Sequence, residues 1–234
     1  MASWARFPER PELDIGSGYD SAVSHSHEHH RPLDSKDGWN ERYLADRGEN
    51  IWSGNPNGSL IVEVGTMEPG RAIDLGCGEG ADAIWLGTRG WDVTGIDISN
   101  VALSRAETAA KTAGASIDWV CADFVAVPPE AAAFDLVTTH YPALLQAKRA
   151  ESIAALTIGV RPGGTLLFVA HHVTDVDAVR EHGFDPDDYL TAEDVASALD
   201  DGWRIVTMET RERLGGSSER SAHTSDVVLR AIRT

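Results

Sequence analysis

The sequence predicts an α/β fold: a doubly wound, mostly parallel, seven-stranded sheet that ends in an antiparallel C-terminal hairpin, preceded by a helical and loop lid. Three observations predict it. From residue 71 onward, short apolar runs alternate with helix-like segments, and strands that alternate with helices pair in parallel with both faces covered. The last two strand-like runs have no helix between them, only the glycine-bearing link "LGGSS", which makes them an antiparallel edge pair. The first strand passes directly into "DLGCGEG", an acid followed by spaced glycines, and a sheet of this kind presents ligands to the carboxyl ends of its strands.

Residues 1–34 hold Pro8, Pro11, Pro32, Gly16 and Gly18 without strong periodicity, and read as an irregular arm. Residues 35–70 read as the lid. Ser35 caps a helix bearing Trp39, Tyr43 and Leu44, Gly48 can end it, and "IWSGNPNGSLIVEV" is a turn-rich loop leading to a short helix. Residues 71–234 form the main domain. Its expected strands are Arg71–Leu75, Trp91–Ile96, Ile117–Cys121, Phe134–Thr139, Thr165–Ala170, Trp203–Glu212 and Ala222–Ile232. Its expected helices are Gly80–Thr88, Ser99–Ala113 with Ser99 as cap, Ala147–Ile158, and Thr191–Leu199 with Thr191 as cap and Glu193 and Asp194 in the first turn. "RPGG" at Arg161–Gly164 reads as a turn.

Composition narrows the partners. The 234 residues suit one domain with a small appendage, and 37 acids against 20 bases leave a formal charge of −17 with no basic cluster. Phosphate-driven affinity comes from Lys and Arg, so nucleic acid and anionic membrane surfaces are disfavoured and a small neutral or cationic molecule is the expected partner. Cys77 and Cys121 form no CxxC, which suits a reducing cytoplasm. The N-terminus has no apolar core of a signal peptide, and no run approaches the ~18 apolar residues of a membrane helix. Nothing here separates a monomer from a homodimer.

The glycine turn admits two ligands. Gly76, Gly78 and Ala81 also satisfy the dinucleotide fingerprint. That reading places a pyrophosphate beside Asp74, where an acid is unhelpful, whereas Asp74 suits an ammonium. Asp97, 21 residues after Gly76, ends the second strand, where a carboxylate can hold two ribose hydroxyls. Asp123 ends the third, where it can accept from an adenine amino group while Phe124 packs on the ring.

With "AIDLGCGEG", Asp97, "ADFVAVPPEAAAFDLV" and "VRPGGTLLFV" in that order, the chain resembles the class I S-adenosylmethionine (SAM)-dependent methyltransferases, whose fold is Rossmann-like. Its front segment, "WNERYLADRGENIWSGNPN", is similar more loosely to the small-molecule branch that includes thiopurine S-methyltransferase and the tellurite-resistance methyltransferases. The resemblance implies SAM as cofactor, with S-adenosylhomocysteine (SAH) as product. It implies that Asp74 lies near the amino-acid end of SAM, with Gly76, Cys77, Gly78 and Gly80 as floor. It implies Asp97 at the ribose, Ile98, Asp123 and Phe124 at the adenine, and His140 at the methionine end. It implies that Trp39, Tyr43, Trp52 and Asn57 belong to the lid.

Methyl transfer needs an aligned nucleophile, water exclusion and, where the acceptor carries a proton, a general base worth ~10²–10⁴-fold. His140, His171 and His172 follow strands and are the candidate bases, with Tyr43 and Tyr141 behind them. A small-molecule methyltransferase that prefers thiol sulfur is the leading expectation, with oxygen or nitrogen acceptors as the first rival. A non-catalytic SAM-binding protein, a metal-handling protein using the "HSHEHH" run, and an NAD-dependent oxidoreductase are the others. Imidazoles and Glu28 are metal-ligand types, yet no cysteine pattern or fixed helical spacing accompanies the run, so no metal is assigned and a solvated arm able to cover the pocket is expected.

Overall fold

The computed structural model describes residues 35–45, 51–181, 185–214 and 224–234. The expected arm at residues 1–34 with its histidine run, and the Gly48 helix stop, lie outside the described residues. Two helices come first, α1 (Lys36–Ala45) and α2 (Gly58–Val64). The sheet then alternates with helices: β1 (Arg71–Leu75), α3 (Ala81–Gly87), β2 (Asp92–Asp97), α4 (Asn100–Ala113), β3 (Ile117–Cys121), β4 (Phe134–His140), α5 (Arg149–Ile158), β5 (Val160–His171), α6 (Val176–Glu181) and α7 (Ala192–Ala198). β6 (Trp203–Glu212) and β7 (Ser225–Arg233) complete it.

The strand order is β3-β2-β1-β4-β5-β7-β6. The first five strands pair in parallel, and β7 runs antiparallel between β5 and β6. The order reverses between β1 and β4, so the carboxyl ends of β1, β2 and β4 frame the crevice where such sheets bind ligands. Because β7 runs the other way, its first residues reach the same edge, and Asp226 pairs with His171 in the ladder.

Successive residues of a strand face opposite sides, which divides the core in two. On one face Ile73, Leu75, Val137, Leu166 and Phe168 pack with Ala155 and Leu156 of α5 and Val195 of α7. On the other, Ala72, Leu136, Leu167 and Val169 meet Leu60 and Val64 of α2 and Ala83 and Leu86 of α3. Full burial of one such side chain is worth roughly 1.5–3 kcal/mol. Helix α2 is therefore part of the core, fastened by Glu63, which accepts from Thr207 Oγ1 at 3.0 Å and pairs with Arg211 at 2.6 Å.

The "RPGG" turn is present but lies inside β5. Phe134 pairs with Val160 and Leu136 with Thr165, so residues 161–164 bulge out of the ladder. Gly163 sits at φ +77° there, and a Cβ on Gly164 would stand 2.9 Å from the Phe134 carbonyl oxygen, so glycine permits the fold-back. α6 was not expected from the sequence, while α4 and α7 keep their expected caps: Ser99 accepts from Ala102 N, and Thr191 and Asp194 form a capping box.

Candidate active site

The glycine loop joins β1 to α3 with three residues in the left-handed region, Gly76 (φ +73°), Gly78 (φ +53°) and Gly80 (φ +81°). Gly76 N and Cys77 N donate to the Ile96 carbonyl, and Gly80 N donates to Cys77 O at 2.9 Å, which closes the turn. The glycines do different work. A Cβ on Gly78 would lie 3.0 Å from Tyr43 Oη and 3.5 Å from Trp52 Nε1, so the lid approaches the loop at this residue. A Cβ on Gly80 would lie 2.6 Å from Trp119, so Gly80 makes room for packing between α4 and β3. Cys77 is half-buried, and desolvation first, then Asp97 and Asp74, pushes its thiol well above its ordinary range, which disfavours the thiolate.

The acids stand at the strand ends. Asp74 is only 2% exposed, and its Oδ2 has no hydrogen-bond partner. Burial, reinforced by Asp82 and Asp97, raises its pKa far above the usual carboxylate range. Asp97 accepts from Gly78 N through Oδ2 and from Ser99 N through Oδ1, both at 2.8 Å. Burial raises its pKa and these N–H donors hold it back. Asp123 Oδ1 accepts from Val125 N and Ala126 N, while Ile98 is half-buried and accepts from Cys121 Sγ at 3.5 Å. Phe124 is buried, with its ring edge 4.0 Å from where a Gly76 Cβ would be.

The lid residues meet over this loop. Trp52 Nε1 donates to Tyr43 Oη at 3.1 Å, and Trp39 lies 6.2 Å from Tyr43, ring to ring. Burial first, then Asp97, pushes the Tyr43 phenol well above its ordinary range, so it stays a neutral hydroxyl. Glu79 accepts from Ile51 N, Trp52 N and Arg105 Nη1, and Arg105 Nη2 donates to the Tyr43 carbonyl. One buried acid thus fastens lid, loop and α4 together.

Beyond β4 lies a second group. Asn57, the N-cap of α2, donates through Nδ2 to Tyr141 Oη at 2.9 Å, and Tyr141 Oη donates to Asp226 Oδ2 at 3.0 Å. Tyr141 stacks on His171 with ring centres 4.0 Å apart. Arg213 pairs with Asp226 at 2.9 Å and donates to His171 Nδ1 at 2.7 Å. An arginine only donates, so this contact leaves Nδ1 as acceptor and the His171 proton on Nε2. Tyr141 holds φ +52°, an uncommon conformation for a bulky residue of the kind that gathers at functional sites. The His140 side chain is buried, and neither ring nitrogen has a hydrogen-bond partner, although Nδ1 stands 2.8 Å from Asp82 Oδ2 as an ion-pair contact. Asp82 Oδ1 also accepts from Asn57 N at 2.6 Å. His172 stands apart: it is half-buried, and its main-chain N–H donates to Ser225 O.

The donor set suits a ligand with a cationic amino group, a sugar diol and an amino-bearing ring. Asp74 offers a buried, unsatisfied oxygen to the first. Asp97 keeps lone pairs for the second, and Asp123 Oδ2 remains for the third. A pyrophosphate at the glycine turn would meet Asp74 instead. Among the described residues, no group of His, Cys, Asp or Glu is arranged to hold a metal ion, and no helix is long and apolar enough to cross a membrane.

Residues 72–164 match the family described as a methyltransferase domain. That segment is a methyltransferase domain. SAM is its cofactor. A ubiquinone biosynthesis O-methyltransferase of Burkholderia pseudomallei is 33% identical over 122 residues, 49% of this chain and 50% of the relative. The chain spans about a third to a half of the length of the curated relatives it matches. Among solved structures, N-methyltransferase NodS from Bradyrhizobium japonicum in complex with SAH aligns at TM-score 0.63 and 20% identity, covering 83% of this chain and 97% of that one. TehB from Haemophilus influenzae aligns at 0.60 and 16% identity, covering 85% and 67%.

Glu79, Asp82, Arg105, Arg213 and Asp226 were not foreseen from the sequence. Glu79 was visible within the glycine run, and Asp82 in the first turn of α3 has the position of an ordinary helix-dipole acid. Arg213 and Asp226 carry no local signal, because their partners lie on other elements.

Proposed function

We propose that the protein transfers a methyl group from SAM to a small molecule, with thiol sulfur as the preferred acceptor atom. The observation that carries the donor half is the buried, unpartnered Asp74 oxygen beside a positive-φ glycine loop. When bound, SAM supplies a sulfonium-activated methyl group for in-line displacement. Asp74 holds the ammonium, Gly76, Cys77, Gly78 and Gly80 form and shape the floor, and Asp97 holds the ribose. Asp123, with Ile98 and Phe124, holds the adenine. Tyr43, Trp39 and Trp52 close over the loop and exclude water. Asn57 and Tyr141 border the acceptor side, where His140, His171 and His172 are the basic groups.

The likeness to TehB and the aromatic lid support the small-molecule reading, and the formal charge of −17 disfavours polyanionic acceptors. Oxygen or nitrogen is the second reading, favoured by the names of the O- and N-methyltransferases among the similar proteins. Incubation with methyl-labelled SAM and matched aromatic thiols, phenols and amines, read by mass spectrometry, tests the choice. Labelled thioether alone is the expected result. Labelled ether or amine would replace sulfur by the second reading, and no product in samples that bind SAM would remove the catalytic reading.

A further inference from the structure

Near the switch in strand order, Oδ2 of Asp74 at the end of β1 and both ring nitrogens of His140 at the end of β4 are buried without a hydrogen-bond partner. A third residue, Asp82, stands against Nδ1 of His140 as an ion-pair contact. An unsatisfied buried polar group costs about 1–3 kcal/mol, so such atoms gathered at one ligand cleft call for an explanation. Resting on the donor half of the proposed function, we propose that Asp74, His140 and Asp82 form a proton-holding trio that gives up a proton when the ammonium of the donor reaches Asp74. That leaves Nε2 of His140 bare to take the proton of the acceptor, with Asp82 as its positioning residue.

The electrostatics follow from which groups surround the imidazole. Burial opposes its charged form, but Asp82 on α3, Asp74 on β1 and Asp226 on β7 together outweigh burial and raise its pKa. Asp226 is partly offset by its partner Arg213, and Tyr141 next in the chain stays neutral. His140 and Asp74 are both raised, so the buried pair holds a proton that either group can carry and that relieves the buried carboxylate. An ammonium against Asp74 takes over that task and removes a main reason for His140 to stay charged. The Asp82 carboxylate 2.8 Å from Nδ1 favours hydrogen on that nitrogen in the neutral ring, which leaves the lone pair on Nε2. The released proton goes to solvent. During transfer the proton of the acceptor passes to Nε2, while its electron pair stays on the acceptor atom. Asp82 also accepts from Asn57 N, so the segment leading into α2 and the base are held by one carboxylate.

SAH carries the ammonium and undergoes no transfer, so it tests the linkage without turnover. Titration calorimetry with SAH at pH 7, repeated in buffers of different ionisation enthalpy, counts protons. The wild type should release a proton on binding, at most about one. His140→Gln and Asp82→Asn should each lower that release at least several-fold. Nitrogen-15 spectra of histidine-labelled wild-type protein should show His140 as imidazolium when free, and as a neutral ring with hydrogen on Nδ1 when SAH is bound. An imidazolium in both states, or undiminished proton release in His140→Gln, overturns the proposal. If His140→Gln does not fold, Asp82→Asn and the wild-type spectra still decide. A protein that releases the proton yet methylates nothing keeps this linkage and loses the catalytic reading.

Discussion

The two halves of the sheet edge are built in different ways. On the β1–β2–β3 side Asp97 and Asp123 accept from main-chain N–H groups, Asp97 from Gly78 and Ser99 and Asp123 from Val125 and Ala126, while Asp74 keeps one oxygen unpartnered. On the β4–β5–β7 side the contacts run between side chains distant in sequence, from Asn57 to Tyr141 to Asp226 to Arg213 to His171. A site for an invariant cofactor can be made from backbone and a short motif. The other side is assembled from side chains that depend on one another rather than on a local turn.

If that contrast is right, the side-chain half should fail most severely when one central group is removed. Asp226 is 1% exposed and bonds both Arg213 and Tyr141. Asp226→Ala deprives the mostly buried Arg213 guanidinium of its carboxylate and should destabilise the fold by about 3–5 kcal/mol, measured by urea unfolding. A loss below about 1 kcal/mol would mean that water replaces the carboxylate and that the network is not buried in solution.

On the backbone half, Gly80→Ala combines a left-handed φ with a clash at Trp119 and should cost about 1–3 kcal/mol, visible as a lower Tm. A variant as stable as wild type would show that Trp119 moves freely. Asp74→Asn should weaken SAH binding by about 10- to 100-fold, the loss of one charge-assisted contact of about 1.5–3 kcal/mol, in titration calorimetry.

The same substitution should alter the pH dependence of stability, and the sign can be worked out. Asp74 has a folded pKa raised above its unperturbed 3.8 by burial, so above that value the native state binds more protons than the unfolded chain. Stability contributed by the protonated acid is therefore present at low pH and lost as pH rises through the raised folded value. Asp74→Asn should flatten that decline, and an unchanged slope would mean the carboxyl is hydrated in the free protein. The smallest effect belongs to the surface: Lys111→Ala removes an exposed i,i+4 pair with Glu107 at 2.8 Å and should change stability by no more than about 0.5 kcal/mol.

The alternation of strands and helices, the terminal hairpin, the glycine turn and the acids at strand ends were legible in the sequence because each depends on neighbours a few residues away. Period-2 apolar runs make strands and caps start helices, while a left-handed turn demands glycine wherever it occurs in a chain. Gly78 and Gly80 were equally legible as glycines, but their different work was not, because Tyr43, Trp52 and Trp119 reach them only after folding. The lone pair assigned to each histidine belongs to the same class. Asp82 faces Nδ1 of His140 and Arg213 donates to Nδ1 of His171, so two similar strand-end histidines carry their ring hydrogen on opposite nitrogens. Propensity and pattern act over one turn or one strand. The polarity of a buried ring is set by whichever charges the packing brings within about 3 Å, and in this molecule they arrive from the first turn of α3 and from the residue that follows β6.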